Sequence, residues 1–128
     1  MAKDGTGTLG VLAAEAAYRH GGAFLDEEIE YLRETRDWLV KELPQRIPGL
    51  KTSQPQATYL LWLDFSDTAI AGNPQPAKWL RENARVALNE GDTFGTGGPG
   101  HARLNFATSR EILGEALDRM EKAFAELD

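Results

Sequence analysis

The sequence contains no cysteine and only two histidines, His20 and His101, in 128 residues. The absence of cysteine excludes disulfide bonds and thiolate zinc sites, and it favours the cytoplasm without excluding other compartments. The two histidines stand far apart in the sequence. Because a metal site needs several ligands close together, this composition argues against a metal centre.

Positive charge is also scarce. The chain has 14 Lys and Arg against 20 Asp and Glu, a net charge of -6, and no basic block. A surface that binds nucleic acid needs clustered Lys and Arg, so nucleic acid is not expected as the main partner. No apolar run approaches about 18 residues, and the first residues lack an apolar export signal, so neither a membrane span nor export is predicted.

The remaining composition is that of an ordinary globular domain, with 41% hydrophobic and 27% charged residues. A chain of this length buries enough surface to form a core without a disulfide or a metal. We see no internal repeat and no linker long enough to divide it. We therefore expect a single domain over residues 1–128.

Two helices are predicted in the first part of the chain. Leu9–His20 is rich in alanine and should end at Gly21, and its alanines suit tight packing and simple helix propensity about equally. Phe24–Leu43 is the longest helical pattern, and we expect Pro44 and then Pro48-Gly49 to end it. Its apolar stripe is expected to lie in the core, and it comprises Leu25, Ile29, Leu32, Leu39 and Leu43.

Two further helices are predicted in the second part. Pro76–Ala84 begins with a proline, which the first turn of a helix tolerates. The last helix follows a capping-box pattern, in which Thr108 would be the N-cap and Glu111 would lie at N3.

Three strands are predicted. Thr58–Phe65 is apolar on both sides of its alternation and should be central and covered on both faces. Helices on one face alone would leave Trp62 exposed unless another domain or subunit covered it. Val86–Leu88 is a second, short strand, and a third covers residues 101–106. Helices packed on a mixed or antiparallel sheet of about three strands make an α+β domain.

The third strand follows a loop that contains four glycines and a proline between Gly95 and Gly100. In the strand, His101, Arg103 and Asn105 alternate with Ala102, Leu104 and Phe106, which predicts one polar and one apolar face. Arg103 has two interpretations at this point. It is either a solvated residue on a wet strand, or a fork that binds a carboxylate or phosphate.

The glycines also fit the spacing Gly95-x-Gly97-x-x-Gly100 of a dinucleotide-binding fingerprint. That motif requires a preceding strand and a helix that opens at its last glycine, whereas here a strand follows. The Gly-Lys-Ser/Thr ending of a P-loop is also absent. We therefore do not expect nucleotide binding at this loop.

Three stretches together resemble a known family: Leu9 to Arg36, Ala57 to Asp64, and Val86 to Ser109. The most specific is Phe94-Gly95-x-Gly97-Gly98-x-Gly100-x-x-Arg103-Leu104-Asn105. They resemble the C-terminal, small domain of fold-type I pyridoxal-phosphate enzymes, the aminotransferase class I and II superfamily. The resemblance is strongest to the cystathionine β-lyase-like branch of carbon–sulfur lyases.

The resemblance implies that Arg103 binds the α-carboxylate of an amino-acid substrate, and that Ala57–Tyr59 lines the same cleft. It implies pyridoxal phosphate as cofactor, a homodimer, and a segment 1–22 that forms an interdomain helix. The family's large domain, with its Schiff-base lysine, has no counterpart here. No lysine stands in a matching context; the lysines are Lys3, Lys41, Lys51, Lys78 and Lys122.

The sequence therefore leads us to expect a domain of a larger enzyme that is inactive by itself, because the cofactor does the carbanion chemistry. The complete protein would be a carbon–sulfur β-lyase or, alternatively, a transaminase of the same superfamily. A second hypothesis is a stand-alone α+β binding module without catalysis.

Overall fold

The computed structural model describes residues 7–127, so the first residues of the predicted interdomain segment 1–22 lie outside it. The chain divides into two compact units between Arg33 and Glu34. The described part of the chain contains no helix long and apolar enough to cross a membrane. The elements are α1 (Thr8–His20), α2 (Gly22–Arg46), β1 (Lys51–Thr52), β2 (Leu60–Asp64), α3 (Pro76–Asn83), β3 (Asn89–Glu90), β4 (His101–Asn105) and α4 (Arg110–Ala125).

The four strands form one sheet in the order β1-β2-β4-β3, and every neighbouring pair is antiparallel. This confirms the predicted α+β class, and β2 is central, as expected. The sheet has one strand more than the predicted three. The added strand, β1, covers only Lys51–Thr52, and two residues are too few to show an alternating pattern.

One face of the sheet forms the core. Leu61 and Leu63 of β2 and Ala102 and Leu104 of β4 are almost completely buried. Buried side chains of α2, α3, α4 and the connecting segments complete this core. Phe124 of α4 stacks on Phe65, which follows β2, and contacts Trp79 of α3. Each large apolar side chain removed from water in this way contributes about 1.5 to 3 kcal/mol.

The apolar stripe of α2 is buried in its second half only. Leu39 and Leu43 are fully buried, whereas Leu25 is 54% and Ile29 is 42% exposed. The prediction that the whole stripe lies in the core is therefore wrong. No residue between 7 and 34 is buried, α1 included. Periodicity identifies an apolar face of a helix, but it does not indicate which part of that face has a neighbour.

Helix α2 also continues past Pro44, which was expected to end it, and ends at Arg46. A proline this close to the C-terminus removes one hydrogen bond of the last turns, and the helix tolerates the loss. The chain turns at Gly49, whose φ of 82° is left-handed. A Cβ there would lie 2.0 Å from the Asp67 carbonyl oxygen, so only glycine fits this turn.

The predicted strand Val86–Leu88 is wrong, because the observed strand β3 lies just after it at Asn89–Glu90. The Val86 N–H donates to the carbonyl of Leu80 at the end of α3, and the Val86 side chain is buried. This segment therefore separates from β4 and leaves a cleft of about 270 Å³ beside Leu104 and α4.

The predicted N-cap of α4 is wrong by one residue. Ser109 is the N-cap, and its hydroxyl accepts the backbone N–H of Ile112 at 3.3 Å. Both Thr108 and Ser109 can cap a helix, so the sequence alone does not distinguish them. Glu111 then lies within the first turn, where its negative charge interacts favourably with the helix dipole.

Candidate functional site

The alternation predicted for β4 is confirmed, and it places Arg103 on the sheet face opposite the core. Ala102, Leu104 and Phe106 are buried, whereas His101 and Arg103 are half-buried and Asn105 is exposed. In the antiparallel register, Arg103 lies between Trp62 of β2 and Asn89 of β3. Directly opposed residues point to the same side of a sheet, so these three side chains form one row on the polar face.

The Arg103 guanidinium is held by two groups that carry no charge. Its Cζ lies 4.3 Å from the centre of the Phe94 ring. Its Nη2 donates a hydrogen bond to the Asn89 side-chain oxygen at 3.3 Å. Its Nε is buried and has no acceptor among the described residues. A buried donor without a partner is costly, which makes this guanidinium unusual.

The other half-buried arginines, Arg36 and Arg46, both have acidic partners. Arg36 pairs with Asp37, and Arg46 pairs with three carboxylates at the end of α2 and on α4. Arg103 forms no ion pair with any residue between 7 and 127. Since a half-buried cation normally has an acidic partner, the arrangement fits a carboxylate supplied by a ligand.

The glycine loop fixes the position of Phe94. Phe94 ends a short 3-10 turn at Gly91–Phe94, and Gly95 follows with a φ of 100°. Behind the turn, a Cβ on Gly98 would lie 2.0 Å from the Gly91 carbonyl oxygen. The loop backbone therefore packs directly on the start of the turn, and this contact needs the absence of a side chain.

Aromatic side chains extend the polar face from Phe94 toward β2. Phe94 and Trp62 form an edge-to-face pair with ring centres 5.7 Å apart, and Trp62 stacks on His101 at 5.5 Å. Phe94 and His101 thus cover part of Trp62 within the chain. Trp62 is only half-buried among the described residues, so the cover of this face of β2 by another domain or subunit stays a prediction.

An acidic residue lies at the far end of the same face. Asp64 Oδ1 lies 3.7 Å from His101 Nε2 and accepts the backbone N–H of Ser66 at 2.8 Å. Burial raises the pKa of the Asp64 carboxyl, but the Ser66 hydrogen bonds and the charges of His101 and Lys51 outweigh it and lower the pKa overall.

The segment Ala57–Tyr59, which the resemblance places in the same cleft, precedes β2. The Tyr59 carbonyl accepts the N–H of Phe106 at 2.9 Å, beside the end of β4. Thr58 has a left-handed φ of 66°, which is uncommon for a residue with a branched side chain. The described contacts do not join this segment to Arg103, so its place in the site stays a prediction.

Lys51 lies on the sheet opposite Asp64, and its ammonium pairs with Asp67 at 2.6 Å. The hydrogen bond that Lys51 donates to Asp67 and the charge of Asp67 raise the pKa of Lys51. Lys51 thus forms a surface ion pair, and none of its described contacts indicates the role of a cofactor-binding lysine. Residues 7–127 also contain no cluster of side chains that could hold a metal ion.

No protein-family model matches the chain. A cystathionine β-lyase from Corynebacterium glutamicum is 47% identical over 94% of this chain and 31% of its own length. A crystal structure from Corynebacterium diphtheriae, assigned as a pyridoxal-phosphate-dependent β-cystathionase, superposes with a TM-score of 0.89. It is 55% identical and is matched over 95% of this chain and 32% of its own.

The chain is therefore homologous to cystathionine β-lyases. It corresponds to the C-terminal portion of these lyases and spans about a third of the length of the curated relatives that it matches. Cystalysin from Treponema denticola, whose crystal structure contains pyridoxal phosphate, is 30% identical over 94% of this chain and 30% of its own, with a TM-score of 0.85. The fold of the lyase small domain, expected from the sequence resemblance, is thereby confirmed.

The sequence pointed to Arg103 as a candidate site residue, but not to the residues that contact it. No sequence pattern pointed to Asn89, and Phe94 was only the first residue of the glycine-rich motif. Their roles depend on the register of β3 with β4, which the sequence does not show. A phenylalanine that directly precedes the glycines was the one available signal.

Proposed function

We propose that this chain binds the substrate carboxylate in a pyridoxal-phosphate-dependent lyase that cleaves the carbon–sulfur bond of an amino acid such as cystathionine. In this proposal, Arg103 binds the α-carboxylate. The observation that carries the proposal is the half-buried guanidinium of Arg103, which contacts a ring and an amide but no acid among the described residues.

The geometry suits a carboxylate that approaches the terminal nitrogens. Because Nε of Arg103 is buried, an incoming carboxylate would meet the edge formed by the two Nη atoms. Two parallel charge-assisted hydrogen bonds would fix the plane of the carboxylate and thereby the position of the neighbouring Cα. Each such bond contributes about 1.5 to 3 kcal/mol.

The residues of this chain fit the part of the site that binds the substrate carboxylate. They do not fit the part in which a lysine would hold the cofactor. Pyridoxal phosphate would supply the electron sink for negative charge on Cα. The protein groups that hold it, including the lysine, would come from the remainder of a protein as long as the relatives. This remainder would also cover the exposed apolar side chains of α1, such as Leu9 and Tyr18.

A second role, transamination, uses the same carboxylate clamp. The two Corynebacterium proteins reported above, a lyase and a β-cystathionase, are 47% and 55% identical to this chain, which favours elimination over transfer. The homodimer implied by the resemblance stays a prediction, which light scattering of the complete protein would check. The cytoplasmic location also stays a prediction.

Product analysis tests the proposed reaction. The protein expressed from the complete reading frame is supplied with pyridoxal phosphate and cystathionine, beside this 128-residue chain alone. We expect pyruvate and ammonia from the complete protein and no product from the chain alone. A new keto acid paired with a new amino acid would indicate transamination. A reading frame without a large domain, and no product, would favour the stand-alone binding module.

A further inference from the structure

We propose that Phe94 and Asn89 are positioning residues, which hold the Arg103 guanidinium in one orientation before the carboxylate binds. This inference rests on the proposed function of Arg103 and adds two side chains to it. Both side chains reach Arg103 from the side of β3: Asn89 is its partner in the β3–β4 register, and Phe94 ends the turn that follows β3.

Phe94 restrains the plane of the guanidinium. Its ring centre lies 4.3 Å from Cζ of Arg103, within the range of a cation–π contact. The ring also packs against Trp62 at an interplanar angle of 76°, and this second contact favours one orientation of the ring. An arginine side chain has several rotatable bonds, so a fixed ring above its plane removes conformational freedom that binding would otherwise have to remove.

Asn89 restrains rotation within that plane. Its side-chain oxygen accepts one hydrogen bond from Nη2 at 3.3 Å. Because an amide is neutral, it orients the fork without neutralising its charge. An aspartate at the same position would form an ion pair with Arg103 and compete with the substrate carboxylate. The choice of a neutral acceptor therefore matters for a residue whose ligand is an anion.

The position of Phe94 does not serve the core. Phe94 is 48% exposed, and its ring contacts Arg103 and Trp62 on the polar face. A large apolar side chain on a surface usually contributes little to stability. Substitution of Phe94 is therefore expected to leave the fold intact and to change the behaviour of Arg103.

Steady-state kinetics of the complete protein loaded with pyridoxal phosphate test the inference. Phe94→Ala is expected to raise the amino-acid KM about five-fold with kcat within about two-fold, since a cation–π contact is worth a few-fold in affinity. Phe94→Tyr should restore KM to within about two-fold. Asn89→Asp should raise KM about ten-fold because it pairs with Arg103. Ile112→Ala, which truncates an exposed side chain on α4, is the control and should leave KM unchanged.

A second readout does not depend on activity. The Nε–Hε signal of Arg103 in the nuclear magnetic resonance spectrum of this chain should show the ring-current shift of Phe94. Phe94→Leu, which keeps an apolar side chain, should remove that shift and speed exchange of Hε with water. The melting temperature of each variant shows whether it is folded.

The outcomes separate this inference from the proposed function. If Arg103→Ala raises KM while Phe94→Ala and Asn89→Asp do not, the positioning role is overturned and the proposed function stands. If Arg103→Ala leaves KM unchanged, the proposed function fails and the inference fails with it. An Arg103 Hε signal that is the same in the wild type and in Phe94→Leu would also overturn the positioning role.

Discussion

The two faces of the sheet use alternate residues of the same strands for different purposes. On the core face, Leu61, Leu63 and Leu104 are almost fully buried among apolar neighbours. On the polar face, Trp62 and Arg103 are only half-buried, and Nε of Arg103 has no acceptor among the described residues. The interactions of the first face are complete within the chain, whereas those of the second are not. Substitutions at adjacent residues of one strand should therefore change either the stability of the fold or the binding of a ligand, but not both.

The largest effect on stability is expected on the core face. Leu63→Ala should lower the free energy of unfolding by about 2 to 5 kcal/mol, because it leaves a cavity in a packed core. Leu60→Ala makes the same chemical change on β2, but at a half-buried position on the polar face, and should cost less than about 1.5 kcal/mol. Urea denaturation of this chain measures both values. Equal losses would contradict the distinction between the faces.

A smaller effect is expected where the loop supports the polar face. Gly98→Ala would place a Cβ 2.0 Å from the Gly91 carbonyl oxygen, so the backbone must move. We expect a loss of about 1 to 3 kcal/mol. Gly114→Ala is the matched control, because a Cβ there meets nothing within 4 Å inside α4. It should stabilise the chain by about 0.5 to 1 kcal/mol. Thermal denaturation that showed the same sign for both variants would refute this account of the loop.

The smallest effect is expected from Asp64 at the end of the polar face. Its folded-state pKa is lowered below the ordinary value of 3.8, so its ionised form stabilises the fold. This contribution is complete above pH 3.8 and is lost as the pH falls through the lower folded-state value. The stability difference between the wild type and Asp64→Asn should therefore shrink on acidification. Urea denaturation at a series of pH values checks this, and a difference that did not change with pH would contradict it.

The sequence predicted what depends on local pattern. The alternation around Arg103 placed its side chain on the polar face, and the period of the last helix located α4. It failed where tertiary contacts decide the outcome. Leu25 and Ile29 were predicted to be buried but are exposed. Burial depends on a neighbouring element, and a helical pattern does not show whether that neighbour is present. The segment before β3 turns toward α3 because Val86 packs in the core.

The candidate site was predictable to the same degree. Arg103 could be proposed because the glycine loop and the following asparagine accompany it in a family pattern. Asn89 and Phe94 could not, because their contacts with Arg103 arise from strand register and from the turn between β3 and β4. Sequence patterns thus indicated the charged group, and the structure supplied its environment.

The most direct test of the account compares two arginines in the complete protein with bound pyridoxal phosphate. Arg103→Ala should raise the KM for the amino-acid substrate about 100-fold or more, because at least two charge-assisted hydrogen bonds are lost. Arg81→Ala, which removes the same charge from an exposed position on α3, should leave KM within about two-fold of the wild type. Both variants should keep the melting temperature of the wild type. An unchanged KM for Arg103→Ala, or equal increases for both variants, would contradict the assignment of Arg103 as the carboxylate clamp.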